Sequence, residues 1–362
     1  MMRRIFHCPG VALVLLPALL YGGATLFATA AVRAAEAAGP EPHIALLLPL
    51  ASPSFGRHAD AVRQGFVAAA NAAGKGTPPI RVYTVNENTP NILAGYEQAI
   101  ESGAQLVVGP LTRNGVATLA ASNLVTVPTL ALNTMDAYGP QPARLYLFGL
   151  GAEQEARQVA QLALNGGHRR AYLVGDNTPV SKRMRQAFVE EFARRGGSVV
   201  ADFAYGADQP SLTRMRQTIA RDAADMVFLA LDSTRARTVR PYLGNTLALY
   251  ATSQVNAGTS ALVARELNLV RFIDMPWLLQ PDHPAVMIYP RAQFGDVIDF
   301  ERLYALGIDA LRIGLELLRN SPDPSLDGVT GQIRVTRSQV FVRELPAAQF
   351  IDGRTVVLGK PR

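Results

Sequence analysis

Phe272-Ile273-Asp274-Met275-Pro276-Trp277-Leu278-Leu279 lies where we expect a hinge between two α/β-like halves of the chain. The segment contains the only tryptophan among the 362 residues. From Ile44 onward, short apolar runs alternate with helical patterns, which is typical of βαβ units and a parallel sheet. We therefore begin from the hypothesis that two lobes meet at this segment.

The first set of elements opens with Ile44-Ala45-Leu46-Leu47-Leu48, which is continuously apolar, as a strand covered on both faces is. A helix follows, in which Val62 and Phe66 lie four residues apart on one face. Thr89 is predicted as the N-cap of the next helix, which has a proline at its first position and stops by residue 103. Further strands are predicted at residues 81–85, 106–108 and 129–132.

A second set begins after residues 145–148, with strands predicted at 171–174, 198–203, 226–230 and 247–251. The final third departs from this alternation. A long amphipathic helix is predicted from about Phe300 to Leu318, because Leu303 and Leu311 belong to one apolar stripe. Three short strands are predicted after it, at 332–336, 339–345 and 348–358, with a hairpin turn at Asp352-Gly353.

Together these elements predict an α/β protein with a two-lobed type I periplasmic binding-protein fold. Each lobe is expected to be a mainly parallel sheet flanked by helices. The N-terminal lobe should comprise residues 43–148 and 280–327, and the C-terminal lobe residues 151–274 and 331–362. Three inter-lobe crossings then fall at 148–151, 274–279 and 328–331.

Residues 1–34 are predicted to be a signal peptide. Arg3 and Arg4 precede an apolar segment that is too short to favour a membrane-spanning helix. We expect cleavage between about Ala31 and Ala38, with a retained anchor as the alternative. Cleavage would remove three of the 35 basic residues and none of the 29 acidic ones, so the net charge would fall from +6 to +3. Because the basic residues are scattered, no nucleic-acid partner is predicted.

Chemistry based on thiols or metals has little support. Cys8 is the only cysteine and precedes the apolar segment, which excludes disulfides, thiol catalysis and a lipobox from the expected mature chain. Four histidines remain and lack metal-ligand spacing: His43, His58, His168 and His283. No nucleophile elbow, phosphate-binding loop or dinucleotide fingerprint is present. We predict no enzyme, no catalytic residue, no cofactor and no metal.

Ligands of open α/β sheets bind beyond the carboxyl ends of the strands. The polar groups at those predicted ends are candidates for contact with a small polar ligand: Ser52, Ser54, Thr112, Asn133, Thr134, Asp176, Asp232, Thr252, Ser253 and Gln254. The alternative is that they are helix caps and turn residues, for which these residue types are standard. Pro110 counts against a ligand, because it offers no backbone N–H to a carboxylate.

Asp274, Pro276 and Trp277 are candidates for a hinge or for contact with a partner protein. Trp is enriched at binding hot spots, which favours a contact at the cleft or at a partner surface. The alternative is a tryptophan packed at the inter-lobe crossing, because a Trp side chain usually buries a large area. The sequence leaves both interpretations open.

Several runs resemble the C-terminal domain of the LppC/LpoA family of penicillin-binding-protein activators. Three of them separate it from ordinary amino-acid-binding proteins: Tyr250-Ala251-Thr252-Ser253-Gln254, Asp274-Met275-Pro276-Trp277-Leu278 and Leu306-Gly307-Ile308-Asp309. The resemblance covers nearly all of the chain from residue 44 onward. It implies an outer-membrane lipoprotein that stimulates a class A penicillin-binding protein. Since this sequence lacks the lipobox cysteine and the helical-repeat domain of longer members, we expect a periplasmic protein.

The resemblance thus predicts a non-catalytic periplasmic regulator of peptidoglycan synthesis, which activates a class A penicillin-binding protein by direct contact. The alternative is a periplasmic solute-binding protein that delivers an amino acid or a similar small polar ligand to an ABC importer. The inter-lobe cleft distinguishes the two. A solute binder needs an open polar cleft with an acidic group for the amine, whereas an activator functions with a filled one.

Overall fold

The structure, a computed structural model, describes residues 40–135, 141–221, 223–258, 260–295 and 297–359. The predicted signal peptide and its cleavage site lie outside these residues. The strands are β1 (His43–Leu48), β2 (Ile80–Thr84), β3 (Ala104–Val108), β4 (Thr129–Ala131), β5 (Leu145–Leu147), β6 (Arg170–Gly175), β7 (Ser198–Ala204), β8 (Met226–Ala230), β9 (Ala248–Ala251), β10 (Val270–Ile273), β11 (Ser325–Gly328), β12 (Gly331–Val335), β13 (Phe341–Glu344), β14 (Ala347–Ile351) and β15 (Arg354–Val357).

The helices are α1 (Gly56–Ala73), α2 (Thr89–Glu101), α3 (Arg113–Ala120), α4 (Ala152–Asn165), α5 (Pro179–Arg194), α6 (Gln209–Ile219), α7 (Ser233–Val239), α8 (Ala261–Glu266), α9 (Pro276–Leu279), α10 (Pro284–Met287) and α11 (Ile298–Leu318). Within the described ranges, none of them combines the length and the apolar character that a membrane crossing requires. Asn88 is the N-cap of α2, so the predicted cap was wrong by one residue. Thr89 is instead the first helical residue, because the fixed φ of proline suits the second position of a helix as well as the first.

The first sheet has the strand order β2-β1-β3-β4-β5, and all neighbouring strands are parallel. Every side chain of β1 is buried, as its continuous apolar run predicted. Leu46 and Leu48 belong to a core shared with α1 and α11, whereas Ala45 and Leu47 pack with α2 and α3. Helices therefore cover both faces of this sheet.

The second sheet has the order β15-β14-β10-β9-β8-β6-β7. Its strands from β7 to β10 pair in parallel, and β14 and β15 add antiparallel at one edge. The hairpin between β14 and β15 turns at Asp352 and Gly353, whose φ angles of 49° and 81° are both positive, as a tight hairpin turn requires. This confirms the predicted turn.

A third sheet, β11-β12-β13, is antiparallel and separate from the other two. An isolated bridge between Leu147, the last residue of β5, and Val340, directly before β13, connects the first sheet to it. β11 was not predicted as a strand, because Ser-Leu-Asp-Gly carries no apolar run or alternation that would indicate one. The predicted third crossing, residues 328–331, therefore lies at the turn between β11 and β12.

α1 and α11 approach each other closely, and two glycines make this possible. A Cβ atom on Gly65 would lie 1.9 Å from the backbone oxygen of Tyr304, and one on Gly307 would lie 2.1 Å from that of Val62. Both distances are far below any real van der Waals contact. The predicted α/β fold with two lobes, parallel sheets and flanking helices is confirmed.

Candidate functional site

Three of the ten strand-end candidates act as caps of the helices that follow, namely Thr112, Asp232 and Thr252. Thr112 accepts a hydrogen bond from the N–H of Gly115 at 3.1 Å and caps α3, while Asp232 accepts one from the N–H of Arg235 at 2.9 Å and caps α7. Asp176 accepts a bond from the N–H of Thr178 at 2.8 Å and lies 3.3 Å from Nε of Arg235. The two carboxylates that were available to an amine therefore share one arginine of the same chain.

The candidates on the first sheet are arranged in a similar way. Ser52 is buried, donates to Glu87 and accepts from the N–H of Phe55 at 2.9 Å. Asn133 donates to the backbone oxygen of Leu111 at 2.9 Å and accepts from the N–H of Thr134 at 2.9 Å. Ser54 and Gln254 are exposed, and Thr134 is half-buried. These contacts are those of turns, and binding of a ligand by these groups stays a prediction.

Ser253 leads into a buried cluster that the sequence did not reveal. Its N–H and its Oγ both donate to Oε2 of Glu155, at 3.1 and 2.7 Å. Glu155 lies in the first turn of α4, and Arg343 of β13 donates to its Oε1 at 3.3 Å. Burial raises the pKa of Glu155, although Arg343 and Ser253 oppose that shift.

Asp274 lies at the other end of the same cluster, directly after β10. Its Oδ2 accepts from Nη2 of Arg302 and from Nδ2 of Asn256, both at 2.8 Å. Arg302, on α11, also donates to the backbone oxygens of Ser253 at 3.0 Å and of Asn256 at 3.1 Å. Burial alone would lower the pKa of Arg302, but the charge of Asp274 outweighs it and raises the pKa above its ordinary range.

We call Glu155, Ser253, Asn256, Asp274, Arg302 and Arg343 the junction cluster. Its members come from α4, from the segment after β9, from the end of β10, from α11 and from β13. All of them are at most 8% exposed. The cluster therefore ties elements of the second sheet to α11, which packs on the first sheet.

Asp309 fixes the third crossing in the same manner, two turns farther along α11. Its Oδ2 accepts from the N–H and the Oγ of Thr330, both at 2.7 Å, and its Oδ1 accepts from Arg312 at 3.0 Å. Arg343 donates to the backbone oxygen of Thr330 at 3.2 Å, which links this crossing to the junction cluster. Burial raises the pKa of Asp309, while Arg312 and Thr330 oppose the shift.

Trp277 is fully buried, with 0% of its surface exposed. Its Nε1 donates to Glu301 at 2.7 Å, and the guanidinium of Arg291 lies 4.0 Å from its ring centre. Its backbone N–H donates to the oxygen of Val329, which lies at the third crossing, at 2.9 Å. Trp277 is therefore packed in this structure, and its contact with a partner stays a prediction.

Glu153 forms a further link across the lobes at the start of α4. Its Oε1 accepts from Nη2 of Arg113, on α3, at 2.8 Å and from Nε of Arg183, on α5, at 2.6 Å. Burial raises the pKa of Glu153, but its backbone hydrogen bond and the two arginines outweigh burial and hold the pKa below its ordinary value.

The junction cluster holds the structure together and leaves no carboxylate free for a ligand, because each of its carboxylates accepts hydrogen bonds from donors of the same chain. In the part of the chain that the structure describes, no group of three His, Cys, Asp or Glu side chains is placed to hold a metal ion. One signal in the sequence pointed to the cluster. Arg302 and Asp309 are seven residues apart on a mostly apolar helix and so share its buried face.

Two surface grooves are present elsewhere. One has a volume of about 480 Å³ and lies along α1 beside residues 288–292. The other, of about 350 Å³, lies between β7 and α6. Neither is lined by any of the ten strand-end candidates. These two grooves are thus not at the predicted ligand position.

Comparison with known proteins gives consistent matches. A family model described as "LppC putative lipoprotein" matches residues 37–353. A relative from Yersinia pseudotuberculosis named "Penicillin-binding protein activator LpoA" is 26% identical over 406 residues, which cover 87% of this chain and 61% of the relative. The chain therefore spans about three fifths of the length of that relative.

Two solved structures are also similar. A protein of Chromobacterium violaceum, named a "putative branched-chain amino acid ABC transporter", is 36% identical with a TM-score of 0.74, and the match covers 85% of this chain and 100% of that one. The LpoA C-domain from Haemophilus influenzae, described as a regulator of PBP1A, is 24% identical with a TM-score of 0.75. That match covers 88% of this chain and 100% of the Haemophilus chain. The second likeness, at its low identity, shows the fold alone.

Proposed function

The chain belongs to the LppC family, and from that membership we propose that it is a non-catalytic regulator of peptidoglycan synthesis. It acts in the periplasm and activates a class A penicillin-binding protein, the synthase, by direct contact. The activator name of the Yersinia relative supports this role. Association with the outer membrane, which is the location that the family resemblance implies, belongs to the same proposal.

The observation that carries the proposal is the filled junction between the lobes. A solute-binding protein of this fold opens and closes about its crossings around a ligand. Here Arg302 joins α11 to Asp274 and to the backbone of Ser253, and Arg343 joins Glu155 to the third crossing. Opening would separate these groups and break the hydrogen bonds that they form across the junction, and a hydrogen bond to a charged group contributes about 1.5–3 kcal/mol. The junction thus favours a rigid body that presents a surface.

Activation follows if the protein binds the active conformation of the synthase more tightly than the inactive one. A ligand shifts an equilibrium between two conformations only by its difference in affinity for them. A preference of about 1.4 kcal/mol changes the ratio of the two states about tenfold. No catalytic group is needed for such a role, and a rigid surface serves it well because little ordering entropy is lost on binding.

A solute-binding protein is the second candidate function, and the name of the Chromobacterium structure favours it. An amino acid would need a carboxylate for its amine at the strand ends. Asp176 and Asp232 are the acids there, and Arg235 contacts both. The ligand would have to displace an arginine that is tethered to its own helix, which counts against tight binding.

Thermal unfolding of the mature chain with a panel of amino acids and short peptides tests the choice. A ligand present at 100 times its dissociation constant stabilises a protein by about 2.7 kcal/mol, which raises the melting temperature by a few degrees. We expect no such shift, together with measurable binding of the synthase by light scattering or calorimetry. A clear shift with one solute and no binding of any class A synthase of the same organism would support the second candidate instead.

A further inference from the structure

We propose that the groove beside α1 is the docking site for an acidic amphipathic helix of the class A synthase, an inference that rests on the proposed function. We call it the α1 groove, and its volume is about 480 Å³. Its lining consists of one stripe of α1, the segment 288–292 and Tyr304 of α11. It is separate from the strand-end candidates, so the site differs from a ligand cleft.

The long wall of the groove has the shape that a helix requires. Arg63, Val67 and Asn71 lie four residues apart along α1, and so do Gln64, Ala68 and Ala72. Nine residue steps of an α-helix span about 14 Å, or two and a half turns. An amphipathic helix that binds such a groove inserts side chains at spacings of three and four residues over this length.

Exposed apolar side chains mark the opposite wall at its start. Ile288, which lines the groove, is 61% exposed, and its neighbour Met287, at the end of α10 and outside the lining, is 68% exposed. Leu262 is also 61% exposed, but it stands apart on α8. Isolated surface apolar residues are ordinary, whereas adjacent ones beside a groove indicate a binding surface.

The charge of the lining indicates the chemistry of the occupant. Two arginines line the groove, Arg63 and Arg291, and no carboxylate does. Arg63 pairs with Asp60 at 2.7 Å on the exposed surface, where such a pair contributes less than about 1 kcal/mol and is easily exchanged for another partner. An occupant with apolar side chains on one face and Asp or Glu at its border would complement this lining.

The floor of the groove adjoins the hinge. Arg291 and Tyr304 line it, and both contact Trp277. The guanidinium of Arg291 lies 4.0 Å from the indole ring centre, and the ring centre of Tyr304 lies 5.4 Å from it. A helix bound here would therefore touch the side chains that pack around the second crossing. A rigid junction behind the groove would hold its two walls at a fixed separation.

The test uses the mature chain and the periplasmic part of the cognate class A penicillin-binding protein. The double variant Met287→Glu/Ile288→Glu should weaken binding of the synthase at least about tenfold, because it places one charge in the groove and a second beside it. Leu262→Glu is the matched control, with the same exposure on a different surface, and should bind like the wild type. Circular dichroism and thermal unfolding confirm that the variants are folded.

A second variant tests the charge of the occupant. Wild-type binding should weaken severalfold between 50 and 300 mM salt, in line with screening of charges, and Arg63→Glu should reduce both the affinity and this dependence. If the wild type binds the synthase and the double variant binds equally well, the docking site is wrong and the proposed function stands. If the wild type does not bind, the proposed function and the docking site both fall.

Discussion

Nη2 of Arg302 donates to Oδ2 of Asp274 at 2.8 Å, and both side chains are buried. Arg302 lies on α11, which packs against α1, and Asp274 follows β10 of the second sheet. This single pair therefore joins the two lobes at the second crossing. The same guanidinium group donates to the backbone of Ser253 and Asn256, so its loss would leave several buried acceptors unpaired.

Replacement of Arg302 by Met should lower the free energy of unfolding by about 3–5 kcal/mol, because removal of one partner leaves a buried charge uncompensated. Urea denaturation followed by circular dichroism measures the change. Arg63→Met is the matched control, since Arg63 pairs with Asp60 where both side chains are 38% exposed. The control should lower the free energy of unfolding by less than about 1 kcal/mol. If both variants lost the same free energy of unfolding, the junction would not have the role that we give it.

Gly307→Ala tests the close approach of α11 to α1. The new Cβ would lie 2.1 Å from the backbone oxygen of Val62, so the helices would have to separate. We expect the free energy of unfolding to fall by about 3 kcal/mol or more, which is at or above the upper end of the range for overpacked cores. Thermal unfolding measures it.

Gly314→Ala, on the same helix, is the control for that substitution. Its Cβ would meet Leu106 Cδ2, the end of a flexible side chain, and alanine also favours a helix by about 1 kcal/mol over glycine. We expect the free energy of unfolding to change by no more than about 1 kcal/mol in either direction. A Gly307→Ala variant as stable as Gly314→Ala would show that the two helices are not packed backbone to backbone.

Glu153→Gln should reveal the link across the lobes through the pH dependence of stability. The pKa of Glu153 is held below its ordinary value, so its ionised form stabilises the folded state at pH values above the ordinary pKa of about 4.3. That contribution is lost as the pH falls through the lowered folded-state pKa. At pH 7 the variant should be less stable than the wild type by about 1 kcal/mol.

The difference between the two proteins should stay constant from pH 7 to about pH 5 and shrink below about pH 4. Urea denaturation at a series of pH values measures it. A difference that is the same at pH 3 and at pH 7 would mean that Glu153 is not held ionised by Arg113 and Arg183. Glu190→Gln, at an exposed position on α5, serves as the control.

The sequence was sufficient for elements that carry a long or regular pattern. β1 has five apolar residues in a row after His43, and α11 has a continuous stripe, so both were predicted nearly in full. β10 and β11 have four residues each and were not predicted as strands. β10 is placed by pairing with β9 and with the distant β14, which a single sequence does not show, whereas β11 pairs with β12, which follows it directly.

The site was predicted less well, for a reason that Ser253 illustrates. It was selected as a possible ligand contact because it follows a strand, and it does lie at the junction. Its partner, Glu155, is 98 residues away and was not considered, since a glutamate in the first turn of a helix is usually exposed. Pairing of distant charges is decided by tertiary packing, so the sequence indicated the place but not the network.

The rate of glycan polymerisation and crosslinking by the class A synthase, measured with lipid II in the presence and absence of the mature chain, tests the central claim most directly. The account predicts that the wild type raises this rate in a saturable manner, and that a variant which keeps its fold but does not bind the synthase leaves the rate unchanged. An unchanged rate at saturating wild-type protein, with the synthase shown to be active, would contradict the claim that this protein acts by contact with a cell-wall synthase.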